Sequence, residues 1–146
     1  MSRDIDILAR TIYGEARGEF SRPEGGVGAL IGVANVVMNR VRKQSWFGKT
    51  IKEVCQKPYQ FSCWNESDPN RPLLLSVTPE NYIFRQCLEV ARNVAQKTWP
   101  DLTKGSDHYY AIWLPRSPVW ALGKKPVAKI GSHIFYRLAP DLAEEV

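Results

Sequence analysis

The chain is short of the residues from which metal and nucleophile sites are assembled. It has 2 histidines and 3 cysteines in 146 residues, with no Cys-x-x-Cys pair and no His-Glu-x-x-His helix, so a zinc site has no ligand set to draw on. Cys55, Cys63 and Cys87 are an odd number in a chain long enough to bury its own core, which excludes a disulfide framework and points to synthesis in a reducing compartment. No Gly-x-Ser-x-Gly elbow is present, and the glycines from Gly25 to Gly32 fall inside a helical pattern, not after a strand, which excludes a phosphate-cradling loop. Apolar runs approaching about 18 residues are missing, so no membrane insertion is expected. Met1-Ser2-Arg3-Asp4-Ile5-Asp6 leads straight into a periodic helix without an apolar signal core, so the expectation is a protein made in the cytoplasm without a signal peptide. No metal and no cofactor is implied.

What is present is a globular composition, 44% hydrophobic and 11% aromatic. At this length one domain over residues 1–146 is expected, burying about 70% of its unfolded surface. The net charge of +5 favours a polyanionic partner. Most of the excess lies between Val36 and Gln60, where Arg40, Arg42, Lys43, Lys49, Lys52 and Lys57 face only Glu53. The same residues read equally well as the solvated face of a helix.

Apolar spacing through Leu8, Ala9, Ile12, Tyr13 and Ala16 predicts a helix over residues 3–17. Ser21 and Glu24 stand at capping-box spacing with Pro23 between them, ahead of a second helix through Val27, Leu30, Ile31, Ala34, Val37, Met38 and Val41. That helix is apolar nearly all round and is the expected spine of the core. Thr50 and Glu53 repeat the capping spacing for a short turn of helix. Residues 56–76 show no period and read as a long aromatic loop, and a helix is expected from Thr78 to about Lys97. His108 to Leu114 and Ile130 to Leu138 are aromatic and β-branched and read as two strands of a small sheet. The fold class is α+β, mostly helical with a small β-sheet.

One stretch carries the chemistry. If the first helix runs far enough, Glu15 and Glu19 lie four residues apart on one face, with Glu15 beside the apolar line of Ile12 and Ala16. A carboxyl buried in such a place resists ionisation, the property that a general acid needs near neutrality. Carboxyl pairs of this kind serve sugar hydrolysis, in which an acid protonates the departing glycosidic oxygen. Glutamates at this spacing are also common on exposed helices, so the pair alone decides little.

The wider pattern resembles a known family. Tyr13-Gly14-Glu15-Ala16-Arg17-Gly18-Glu19, followed by Val33-Ala34-Asn35-Val36-Val37-Met38-Asn39-Arg40-Val41, is similar to the core signature of the SleB-like, spore-cortex-lytic cell-wall hydrolases. Tyr59-Gln60-Phe61-Ser62-Cys63-Trp64-Asn65, Asp107-His108-Tyr109-Tyr110, Trp120-Ala121 and Ile130-Gly131-Ser132-His133-Ile134-Phe135-Tyr136 extend the resemblance over about residues 6–137. It implies a lysozyme-like, lytic-transglycosylase-like single domain that cuts peptidoglycan between N-acetylmuramic acid and N-acetylglucosamine. Glu15 is then the single acid/base, forming a 1,6-anhydro end, with Glu19 as a supporting residue and the sequence leaving open which of the two protonates the sugar. Under the same reading, Tyr59, Phe61, Trp64, Tyr109, Tyr110 and Trp120 become candidate walls of a glycan groove, because sugar rings pack C–H faces on aromatic rings. Gln60, Asn65 and His108 are its polar candidates, while His133, between packing neighbours, reads as structural. The expected partner is the peptidoglycan glycan strand, with no nucleic acid and a monomeric enzyme. Spore enzymes of this family usually carry an export signal and a wall-binding module. Lacking both, this sequence suggests a phage or prophage endolysin released through a holin.

Three other readings stay open. A muramidase would begin by protonating the same oxygen and let water finish the reaction. An amidase or peptidase could pair Cys63 with His108 or His133 as a thiol-histidine couple, and a non-catalytic binder of nucleic acid or wall polymer could use the Arg40 to Lys57 patch with Trp46, Phe47 and Tyr59.

Overall fold

A computed structural model describes residues 2–58 and 60–139. The first helix, α1 (Ser2–Phe20), carries the expected apolar line into the core: Leu8, Ala9, Ile12 and Ala16 are buried. It runs to Phe20, three residues beyond the sequence expectation of 17, which takes Glu15 and Glu19 into regular helix. Helix α2 (Gly26–Lys43) is buried on nearly every side, through Leu30, Val33, Ala34, Val36 and Val37, and is the spine that its sequence predicts. The Ser21–Glu24 capping box, however, does not start it. Residues 21–25 form tight turns in which Glu19 O accepts from Arg22 N at 3.1 Å and Arg22 O accepts from Gly25 N at 3.1 Å, and the cap at Gly25 uses no side chain. A Cβ at Gly25 would lie 2.1 Å from Glu19 O, so the close return of the chain at this corner requires glycine.

Thr50 caps α3 (Ile51–Gln56), its side chain accepting from Glu53 N at 3.1 Å while Glu53 Oε1 accepts from Lys49 N at 2.8 Å. Residues 56–76 are not one loop. Ser62–Trp64 make a 3-10 turn and Asn70–Ser76 form α4. Pro69 and Pro72 hid this helix from a periodicity reading, yet they stand at its cap and in its first turn, where a missing N–H costs nothing. Helix α5 (Tyr82–Ala95) starts later than Thr78, because Asn81 Oδ1 accepts from Phe84 N at 3.0 Å and so sets the cap. Helices α1, α2 and α5 pack against one another as the core.

The sheet has three strands where two were expected: β1 (His108–Ala111), β2 (Ala128–Ile130) and β3 (His133–Tyr136). All pair antiparallel in the order β1-β3-β2, with Tyr109 opposite Phe135 and Ala128 opposite Phe135 on the other side. Gly131 at φ +57 makes the turn that splits the apolar run from Ile130 to Leu138 into two strands. One face of the sheet lies on α2 at Gly32, where a Cβ would sit 2.7 Å from Phe135 Cζ. The small residues of α2 thus admit the sheet to the core and leave β1 as an edge strand beside α1. No helix among the described residues is long and apolar enough to cross a membrane.

Candidate active site

Glu15 leaves α1 on the flank of the buried Ile12–Ala16 line and is itself partly buried. The strand β1 brings Tyr109 to it: the phenol donates to Glu15 Oε1 at 2.6 Å, joining residues 94 apart in the chain. Burial and the negative Glu15 carboxylate push the Tyr109 hydroxyl well above its ordinary value, so it keeps its proton and stays a donor.

Gly14 explains how the neighbouring segment comes so close. A Cβ there would meet Cys63 Cβ, Cys63 Sγ and Leu74 Cδ2, each at 2.8 Å, so only a bare Cα lets the 3-10 turn and α4 press against α1 beside Glu15. Cys63 is buried, and burial together with the Glu15 charge pushes its thiol above the ordinary value. A thiol nucleophile requires a shift in the other direction. The Cys63 peptidase reading therefore loses its chemistry.

Between these elements runs a groove of roughly 740 Å³. Gly14 and Glu15 of α1, Gln60, Phe61 and Ser62 of the α3–α4 connection and Asn70 at the start of α4 contribute to it, as do His108, Tyr109, Tyr110, Trp113, Leu114 and Trp120 from β1 and the β1–β2 connection. Glu15 is the one acid among the described lining residues, accompanied by Arg40 and Lys57. Arg40 is fixed on the groove by Nε donating to Asp107 O at 2.8 Å, by Nη1 donating to Gln60 Oε1 at 2.6 Å, and by the Phe47 and Phe61 rings at 4.8 and 5.1 Å. Gln60 returns a donor to Phe47 O at 2.8 Å, so one polar chain ties α2, the α3–α4 connection and β1 together.

His108 is held from behind. Its Nδ1 lies 2.8 Å from Asp107 Oδ1, and the fully buried Asp107 carboxylate also accepts from Lys43 Nζ at 2.7 Å, Leu138 N at 3.0 Å and Ala139 N at 2.8 Å. Desolvation alone would raise the Asp107 carboxyl, but the bonds from His108, Lys43 and the two amides outweigh it and hold it well below the ordinary carboxylate range. The basic stretch is accordingly not one surface patch: Lys43 and Arg40 are buried in these networks, while Arg42, Lys49, Lys52 and Lys57 remain exposed.

Six of the residues named from sequence meet on the groove with Glu15: Gln60, Phe61, His108, Tyr109, Tyr110 and Trp120. Others do not reach it. Glu19 is buried beneath the β2–β3 turn, where Oε1 accepts from Ser132 N at 2.8 Å and Oε2 faces Arg22 Nε at 3.3 Å. A Cβ at Gly131 would come 2.9 Å from that Oε1, so Glu19 is sealed by the turn it pins. Trp64 points into the protein and donates from Nε1 to Thr11 Oγ1 at 2.9 Å, and Asn65 closes the turn beyond it through backbone bonds to Ser62 and Asp68. Tyr59 lies outside the described residues. His133, read as structural, is buried with its ring 4.8 Å from Tyr109 and also borders the groove; burial lowers its proton affinity from the ordinary value. Sequence reasoning missed Arg40 as a groove residue because its charge was counted with the exposed patch. The signal was its place on the all-apolar helix.

A family model described as Cell Wall Hydrolase matches residues 24–136. The spore cortex-lytic enzyme of Bacillus subtilis is 28% identical over 137 residues, covering 92% of this chain but 37% of that enzyme, so the chain spans little more than a third of its length. The cell wall hydrolase CwlJ of the same organism is 25% identical over 155 residues, covering 99% of this chain and 92% of that protein. The catalytic domain of the Bacillus cereus SleB protein superposes with a TM-score of 0.64 at 26% identity, covering 94% of this chain and 91% of that one. The catalytic domain of the germination-specific lytic transglycosylase SleB from Bacillus anthracis gives a TM-score of 0.63 at 26% identity, covering 94% and 96%. The mostly helical α+β fold is that of these domains, and the chain belongs to the cell wall hydrolase family.

Proposed function

We propose that the chain degrades peptidoglycan by cutting the bond between N-acetylmuramic acid and N-acetylglucosamine, with Glu15 as the acid/base. The observation that carries this reading is the placement of Glu15 on the groove with Oε1 tied to Tyr109 at 2.6 Å. A carboxyl anchored through one oxygen presents the other in a fixed direction, which is the geometry of a proton donor. The glycosidic oxygen takes the proton, its bond to C1 breaks with the electron pair leaving on that oxygen, and the muramic acid 6-hydroxyl closes onto C1. The hydroxyl proton returns to Glu15. This lytic transglycosylase outcome needs no second carboxylate, and it agrees with a groove whose described lining holds a single acid. The Bacillus anthracis SleB catalytic domain, a germination-specific lytic transglycosylase, supports the same outcome by its similarity.

Phe61, Tyr110 and Trp120 offer apolar walls for sugar faces, and Arg40 offers fixed donors. Glu19 acts through structure, holding the β2–β3 turn against α1. Glu15→Gln keeps the shape and loses the proton. It is expected to abolish clearing of purified peptidoglycan while the thermal unfolding midpoint stays near that of the parent. A Glu15→Gln protein that still clears peptidoglycan removes Glu15 from the mechanism.

A further inference from the structure

The groove holds one side chain whose hydrogen-bonding polarity is set from outside it. Asp107 is fully buried and ionised, and an ionised carboxylate only accepts, so the His108 nitrogen 2.8 Å away must carry the hydrogen. In the neutral ring the opposite nitrogen, Nε2, is then a bare lone pair. Lys43 and the amides of Leu138 and Ala139 hold Asp107 in place, so the imidazole cannot turn over to offer its N–H instead. The ring borders the groove, and its side chain is 16% exposed there.

Beside it stands Trp120, its ring 4.7 Å from the imidazole. Tyr110 at 5.8 Å and Tyr136 at 5.3 Å meet Trp120 edge to face and brace it. With a neutral imidazole the groove wall thus pairs one acceptor, oriented through Asp107, with one braced apolar ring. A sugar hydroxyl would satisfy the acceptor and leave the ring unused. An acetamido group satisfies both, since it carries an N–H donor at one end and a methyl group on a planar amide at the other.

We propose that His108 and Trp120 form a subsite that reads the 2-acetamido group of a bound sugar, His108 Nε2 accepting its N–H while Trp120 packs on its methyl. This rests on the reading of the groove as a glycan site and goes further by naming the substituent that it selects. The polarity matters on binding: an acceptor that a bound sugar covers without giving it a donor loses affinity, which turns one hydrogen bond into selectivity. Asp107 is a positioning residue in this arrangement, and Tyr110 and Tyr136 support the platform.

The test measures binding in the Glu15→Gln background, where no turnover interferes. The probes are the β-1,4 tetramer of N-acetylglucosamine and its fully de-N-acetylated counterpart, titrated calorimetrically. The parent is expected to prefer the acetylated tetramer. His108→Ala is expected to weaken that tetramer about tenfold, the worth of one desolvated hydrogen bond, and to leave the de-N-acetylated one within about twofold. Trp120→Ala, which leaves the Asp107 network untouched, is expected to erase the same preference, and unfolding midpoints establish that both variants fold. Equal weakening of both tetramers, or no change in either, overturns the subsite while leaving the glycan groove standing. Failure of the Glu15→Gln protein to bind either tetramer overturns the groove reading and the subsite with it.

Discussion

Replacing Tyr109 by Phe removes a single oxygen atom from the centre of the site. In the structure that oxygen donates to Glu15 Oε1 at 2.6 Å, and burial with the Glu15 charge pushes the hydroxyl well above its ordinary value, so it stays a donor near neutrality. Hydrogen bonds to a charged group contribute about 1.5–3 kcal/mol. Its loss releases the carboxyl to rotate away from the glycosidic oxygen, so the whole amount falls on the transition state. At 1.36 kcal/mol for each factor of ten, kcat is expected to fall roughly 10- to 150-fold. KM is expected to change little, because the phenol holds the acid and not the sugar. Initial rates of clearing of purified peptidoglycan over a range of substrate concentrations separate the two constants, and thermal unfolding confirms that the variant is folded. A Tyr109→Phe enzyme within twofold of the parent kcat would refute the claim that this bond aims the acid.

Three further outcomes follow from the same contacts. Gly14→Ala forces a methyl group to within 2.8 Å of Cys63 and Leu74, so it is expected to cost about 1–3 kcal/mol in unfolding free energy and to slow clearing by displacing Glu15. Cys63→Ala is expected to keep clearing activity at a stability cost of roughly 1 kcal/mol; loss of activity in a folded variant would restore the thiol mechanism. Asp107→Asn removes the charge from one side of the buried Lys43–Asp107 ion pair, 2.7 Å across, and is expected to cost about 3–5 kcal/mol by denaturant titration. Because the folded Asp107 carboxyl lies below its ordinary value, its contribution is complete above about pH 4 and drains away as the pH falls further. The parent should therefore lose stability through that acid range, and the variant should show a flatter profile.

Much of the helical frame was legible because α1 and α2 bury their apolar residues at regular spacing, and packing agrees with periodicity there. The failures share a cause: local chain chemistry gave way to contacts between distant segments. Ser21 and Glu24 have the spacing of a cap, but the close approach of Gly25 to Glu19 O turned that corner differently. Proline at positions 69 and 72 reads as a helix breaker, although both lie where a helix begins. In the site, Glu15 was legible beside its buried line, and the aromatic residues of β1 were legible as a group. The bond from Tyr109 to Glu15 was not, since nothing in either segment encodes a partner 94 positions away. Glu19 misled for the opposite reason: helical spacing puts it near Glu15, but the Ser132 amide on the β2–β3 turn claims its carboxylate. Arg40 and Lys43 were misjudged together, because charge counting sees a basic run and cannot see that Asp107 and Gln60 draw two of its members inside.

The chemistry assigned to Glu15 is tested most directly by weighing the products of a peptidoglycan digest. Fragments ending in a muramic acid one water lighter than the hydrolysed form, absent from a parallel Glu15→Gln digest, are the predicted result. Fragments carrying intact glycan strands with severed peptides, or identical products from both proteins, would contradict it.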